Sequence, residues 1–237
     1  TTEIQLIKIT NLSEEEQEVT PIVALPVYGR SADNIRDHRH VTSLLHRIDT
    51  KECGVEVTPV LSFDERGHQK NDTTYFVYGF TAEGNAPKEF YPTVESFIGE
   101  GGSFLIPEAV RVEKKGCTAG CHLEGKEAVG AFRFERRKLK ANESIEYVVL
   151  AGATGEKASI SKICTLFGTK EQAENELAKV KKYWTEKVNV EFETGDEATD
   201  NYLKWICFQP ILRRIYGCSF LPYHDYGKGG RGWRDLW

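Results

Sequence analysis

The chain has 237 residues, 40% of them hydrophobic and 11% aromatic, enough apolar material for one large domain or two small ones and too much for a disordered or fibrous chain. Its 31 basic and 36 acidic residues leave a formal charge of -5, which argues against a nucleic-acid partner, because displacing phosphate counterions needs a basic surplus. The longest apolar stretches, such as Pro21 to Tyr28, fall far short of the roughly 20 residues a bilayer crossing needs, so no membrane span or membrane partner is expected.

From residue 1 to about 168 the pattern is short runs of β-branched and aromatic residues, punctuated by Gly, Pro, Asn and Asp, as antiparallel sheets require. Strands are predicted at Ile4 to Ile9, Val19 to Val27, Val55 to Phe63, Thr73 to Phe80, Val129 to Phe134 and Ile145 to Leu150, with a turn at Asn11-Leu12-Ser13. Tyr75, Val77 and Gly79 face away from Thr74, Phe76 and Tyr78, so both faces of that strand carry rings. Both faces are therefore expected to be covered, which points to stacked sheets. Only Phe132-Arg133-Phe134-Glu135 alternates as a singly exposed sheet would.

At residue 169 the period becomes helical. Thr169 with Gln172 three residues later reads as a capping box, and Ala173, Leu177, Val180 and Trp184 then mark one apolar stripe. Thr194 with Glu197 reads as a second box, opening a run through Tyr202, Trp205, Ile206 and Phe208 that Pro210 should kink or end. Gly217 then fits a stop. There is no internal repeat and no low-complexity run, and Glu14-Glu15-Glu16 reads as a solvated turn.

Six cysteines, at 53, 117, 121, 164, 207 and 218, are scattered through a chain too long to need stapling, which favours reduced thiols and a cytoplasmic setting. No secretory leader is visible at the start. The chain has no methionine, opens directly in a strand and stops inside a Gly- and aromatic-rich loop, and we read it as a segment of a longer polypeptide.

Cys117, Cys121 and His122 combine residue types that ligate zinc, but the spacing is poor and no second pair accompanies them, so loop cysteines are the preferred reading and no metal is assigned. Arg36-Asp37-His38-Arg39-His40, with His46 beyond, is a dense polar cluster. It either shapes one edge of the β region or reaches a neighbouring active site. Tyr226-Gly227-Lys228-Gly229-Gly230-Arg231-Gly232 lacks the order of a P-loop, since Lys228 precedes the last glycines. The same tail concentrates Tyr223, His224, Asp225, Tyr226, Arg231, Trp233, Arg234, Asp235 and Trp237. Indole faces cover the apolar side of a pyranose, while carboxylate and guanidinium pair its hydroxyls, and glycines let backbone approach the ligand. The alternative is an aromatic-lined packing turn between helices.

Arg231-Gly232-Trp233-Arg234-Asp235, preceded by an aromatic-rich helix and an all-β region with a Thr-capped linker helix, resembles the inverting glycoside phosphorylases of glycoside hydrolase family 94. Arg36-Asp37-His38-Arg39-His40, Phe97-Ile98-Gly99, Pro107-Glu108-Ala109 and Gly130-Ala131-Phe132 leading to Val149-Leu150-Ala151-Gly152 support it, and the likeness covers essentially the whole chain. The resemblance implies a β-supersandwich domain over residues 1–168, a helical linker over 169–192 and the first helices of an (α/α)6 barrel over 193–237. It implies a β-gluco-oligosaccharide and inorganic phosphate as substrates, no cofactor, and a homodimer.

Asp235 takes the place of a family aspartate that binds the sugar before the scissile bond. Arg234, Arg231, Trp233 and Asp225 are the other substrate-binding candidates. Where a family arginine often stands six residues before that aspartate, this chain has Gly229, so Arg231 or Lys228 would have to substitute. The general acid is expected beyond Trp237, and no residue here is assigned that role. Trp-Arg-Asp-Leu-Trp is closer to 1,2-β-oligoglucan phosphorylases than to the Phe-Arg-Asp-Ser form of cellobiose phosphorylases. The rival readings are a non-catalytic carbohydrate-binding or assembly module and a hydrolase on the same fold.

Overall fold

Period-two alternation builds most of the molecule. A computed structural model describes residues 2–29, 39–64, 67–155 and 157–216. The elements are β1 (Thr2–Thr10), β2 (Gln17–Val19), β3 (Ile22–Val27), α1 (Arg39–Leu44), β4 (His46–Lys51), β5 (Gly54–Pro59), β6 (Leu61–Asp64) and β7 (Gly67–Lys70). There follow β8 (Thr74–Thr81), β9 (Glu89–Thr93), α2 (Val94–Ile98), α3 (Glu108–Arg111), β10 (His122–Glu124), β11 (Ala128–Arg133), β12 (Arg137–Leu139) and β13 (Ser144–Thr154). Three helices come last, α4 (Lys157–Phe167), α5 (Lys170–Lys187) and α6 (Glu197–Tyr216). The protein is thus a mainly β domain of antiparallel sheets followed by C-terminal helices. It divides into two compact units, one running to Glu174 and the other starting at Asn175.

In the first unit a six-stranded sheet has the order β1-β13-β8-β5-β4-β10, and a three-stranded sheet the order β3-β11-β9. Ile7 and Ile9 of β1, Val77 of β8, Tyr147 and Val149 of β13 meet Val23 and Leu25 of β3 and Phe132 of β11 in one apolar cluster. That cluster is the contact between the two sheets. The opposite face of the large sheet, through Phe76, Tyr78, Phe80, Val148 and Leu150, is covered by Ile160, Ile163, Cys164 and Phe167 of α4 and by Ala173. The opposite face of the small sheet, through Tyr91, Val129 and Ala131, is covered by Phe97 of α2 and Ala109 of α3. The expectation that both faces of β8 are covered is met.

The two sheets interlock through glycines. A Cβ on Gly130 would lie 2.3 Å from the Cβ of Val77, and one on Gly79 would lie 2.2 Å from the Phe132 ring. Neither position has room for a side chain, so each glycine sets the spacing at which Val77 or Phe132 can enter the facing sheet.

Several predicted elements differ in detail. The run Val19 to Val27 is broken, because Pro21 has no N–H for a ladder; β2 pairs with β12, whereas β3 pairs with β11. The run Val55 to Phe63 is also two strands, β5 in the large sheet and β6 in a separate hairpin with β7. Residues 157–167 fall in the region read as β but form α4. Ile160, Ile163, Cys164 and Phe167 stand at helical spacing on its buried side.

The box at Thr169 forms as predicted: the Gln172 N–H donates to the Thr169 hydroxyl at 3.3 Å and the Thr169 N–H to the Gln172 side chain at 3.1 Å. Of the stripe it opens, Ala173 is buried, whereas Leu177 and Val180 are exposed. The second box is displaced. Asp196, not Thr194, receives the Thr199 N–H at 3.1 Å, while Thr194 donates its hydroxyl to Asp200 at 2.8 Å. α6 continues through Pro210 instead of ending there. Gly217 lies outside the described residues.

Candidate functional site

The substrate-binding candidates Asp225, Arg231, Trp233, Arg234 and Asp235 all lie outside the described residues, as do the side chains of Arg36, Asp37, His38, Arg39 and His40. Arg39 and His40 enter the described backbone as the first turn of α1.

His46, the outlying member of that polar cluster, is only 2% exposed. Its Nδ1 lies 3.2 Å from the Lys126 carbonyl, and its Nε2 is buried without a hydrogen-bond partner. Burial holds its pKa below the ordinary value, against the opposing pull of the Lys126 carbonyl and Glu127. The ring is therefore neutral, with Nδ1–H donating and the Nε2 lone pair unused.

Of Cys117, Cys121 and His122, the two cysteines stay together and His122 is engaged elsewhere. Cys117 is fixed by a two-way bridge to Phe90, at 2.9 Å in each direction. Cys121 gives its N–H to the buried Thr50 hydroxyl at 2.9 Å, and that hydroxyl donates to the Thr118 carbonyl at 2.9 Å. Burial, reinforced by a hydrogen bond that the Cys117 thiol donates to Cys121, pushes that thiol up to about 11. His122 opens β10 and is claimed by carboxylates, with Nδ1 2.8 Å from Asp49 and Nε2 3.2 Å from Glu124. Among the described residues no group of three or more His, Cys, Asp or Glu side chains has metal-site geometry.

A polar cleft of about 460 Å³ lies in the first unit between β9, α3 and the end of β11, lined among others by Lys88, Glu89, Glu113, Arg133, Glu135 and Arg136. Each of its cations is taken. Lys88 pairs with Glu135 at 2.6 Å, Arg133 with Glu89 at 2.9 Å, and Arg136 with Glu113 at 2.6 Å. Arg133 also donates to the Ala109 and Lys114 carbonyls and lies over the Tyr91 ring at 5.3 Å. It thereby ties α3 and the loop after it to β9. A phosphate entering here would have to displace carboxylates that already hold every cation.

The second unit offers different chemistry. Trp184 of α5 meets Phe208 of α6 edge-on at 4.6 Å, and Trp205 tilts over Phe208 at 5.4 Å. With Thr185, Val188, Asn201 and Lys204 these rings line an open groove of about 400 Å³. Trp205 is 54% exposed, and Gln209, one turn on, has a buried amide nitrogen without a partner. Rings with polar groups at their edges are able to stack on the apolar face of a sugar and pair its hydroxyls. Sequence reasoning placed Trp184 and Trp205 only on apolar stripes. Their spacing along each helix was visible, but the pairing of α5 with α6 that joins them was not.

No protein-family model and no curated protein matches the chain.

Proposed function

We propose that this chain is part of an inverting glycoside phosphorylase, which in its intact form reversibly converts β-linked gluco-oligosaccharides and inorganic phosphate into α-glucose 1-phosphate, with 1,2-β-oligoglucans as the preferred class. The observation that carries the reading is the order of parts. A layered antiparallel β domain is followed by a Thr169-capped helix and an aromatic-rich helix, and directly after these stands Arg231-Gly232-Trp233-Arg234-Asp235. That is the sequence of parts the resemblance implies for a supersandwich, a linker and the opening of an (α/α)6 barrel. The filled ion pairs of the β domain's polar cleft also support placing phosphate elsewhere.

Physical chemistry narrows what such a site needs. Inverting hydrolysis takes an acid for the leaving oxygen and a base to activate water. Phosphate arrives already anionic, so the base becomes redundant and one general acid with a raised pKa suffices. In this reading Asp235 binds the sugar and does not transfer the proton, and Arg231, Trp233, Arg234 and Asp225 help to hold the substrate.

Incubating the intact protein with phosphate and sophorose-type, cello- and laminari-oligosaccharides tests this. Release of α-glucose 1-phosphate, fastest from the 1,2-linked series, is expected. Its absence with every substrate contradicts the proposal. Asp235→Asn should depress turnover by at least about tenfold while leaving the thermal melt unchanged, because a charged acceptor to a buried hydroxyl is lost. A wild-type rate would remove Asp235 from the site.

A further inference from the structure

A small cavity of about 20 Å³ lies beside α1, lined among others by Thr42, Ser43, His46, Val94, Phe104 and Glu127. His46 is almost fully buried in it. The Nδ1 side of the ring is spent on the Lys126 carbonyl at 3.2 Å, whereas Nε2 is buried with no hydrogen-bond partner among the described residues. Room at the Nε2 edge comes from Gly29, where a Cβ would lie 3.2 Å from Nε2 and 2.8 Å from the Pro59 ring. Burial keeps the imidazole neutral, so Nε2 presents a lone pair and can only accept. An acceptor left unmade in the interior is costly.

We propose that this cavity is a binding site for a single water molecule, which donates one hydrogen to His46 Nε2 and the other to an oxygen of Thr42, Ser43 or Glu127. A water needs roughly 10–15 Å³ and roughly two to four polar partners. The cavity meets the first need and has no room for a second molecule of that size. Thr42, Ser43 and Glu127 already have partners, but a hydroxyl or carboxylate oxygen accepts more than one hydrogen, so the second need is met as well. The water bridges β4 to α1 or to the residue before β11, and it lets a neutral imidazole sit indoors with both nitrogens bonded. Phosphate and sugars are too large for this volume. The site is therefore separate from the phosphorolysis reading and uses none of its residues.

A crystal structure of the full chain, refined at a resolution that shows ordered water, tests the proposal together with long-range proton–nitrogen NMR correlations of the His46 ring. One water is expected at about 2.7–3.2 Å from Nε2, with a second contact to Thr42, Ser43 or Glu127, and the ring should carry its proton on Nδ1 alone. In His46→Leu the acceptor is gone and the cavity should be dry, as apolar cavities are. Circular dichroism reports whether that variant folds, and the two measurements on the parent stand without it. A dry cavity in the parent, a ring protonated on Nε2, or a water that persists in folded His46→Leu would each overturn the proposal.

Discussion

Two buried residues set how the sheet domain responds to change. Gly130 sits where β11 passes Val77, and a methyl group there would lie 2.3 Å from a β-branched core side chain. Neither strand can yield without disturbing its ladder, so Gly130→Ala should destabilise the fold by about 1–3 kcal/mol, read from denaturant unfolding. An unchanged midpoint would show that the sheets are not in tight contact. His46 makes stability depend on pH. Its folded pKa is lowered by burial, so below its ordinary value of about 6.5 the unfolded chain binds a proton that the folded chain does not. Its contribution is constant above about pH 6.5 and falls as the pH drops towards the lowered folded value. The exposed His122 has the opposite sign, because hydrogen bonds to Asp49 and Glu124 raise its pKa. In a His122→Asn background, unfolding midpoints should therefore decline more steeply between about pH 6.5 and pH 5 than in the parent. A decline of equal steepness would contradict the assignment.

At the scale of elements, the strands with strong alternation were legible from residues alone. Ile4 to Ile9, Thr73 to Phe80 and Ile145 to Leu150 lie within β1, β8 and β13. The short strands β2, β7, β10 and β12 were not, because three or four residues carry too little periodicity and their pairing depends on distant partners. α4 was missed although Ile160, Ile163, Cys164 and Phe167 have helical spacing, since its own Ile160, Ile163 and Thr165 are β-branched and favour a strand reading. Of the candidate sites, Cys117, Cys121 and His122 were legible as a cluster in sequence, but the carboxylates of Asp49 and Glu124 that claim His122 were not. The groove between α5 and α6 was illegible, because sequence shows which face of a helix is apolar but not what that face meets. Pro210 was expected to kink or end α6, and the helix does not end there. It withdraws one backbone donor and crowds the preceding turn, so Pro210→Ala should strengthen the helix by up to about 3 kcal/mol. The far-UV circular dichroism melt should move upward, and an unchanged or lower melt would mean that Pro210 makes contacts worth more than the lost hydrogen bond.

For the whole molecule, the layers place chemistry unevenly. The β part is closed on both faces by helices and its cleft cations are matched by carboxylates. The helical part carries an open groove lined by Trp184, Trp205 and Phe208, and the sugar-type chemistry of the sequence gathers after it. The proposed reaction places substrate binding in the helical region and the segment after it, with the β domain as support. The most direct measurement is proton NMR of the first product formed when the intact protein meets a β-1,2-linked gluco-oligosaccharide in phosphate buffer. The account predicts glucose 1-phosphate with the α-anomeric coupling from the earliest time points. Free glucose formed without phosphate incorporation, or a β-configured phosphate ester, would contradict it.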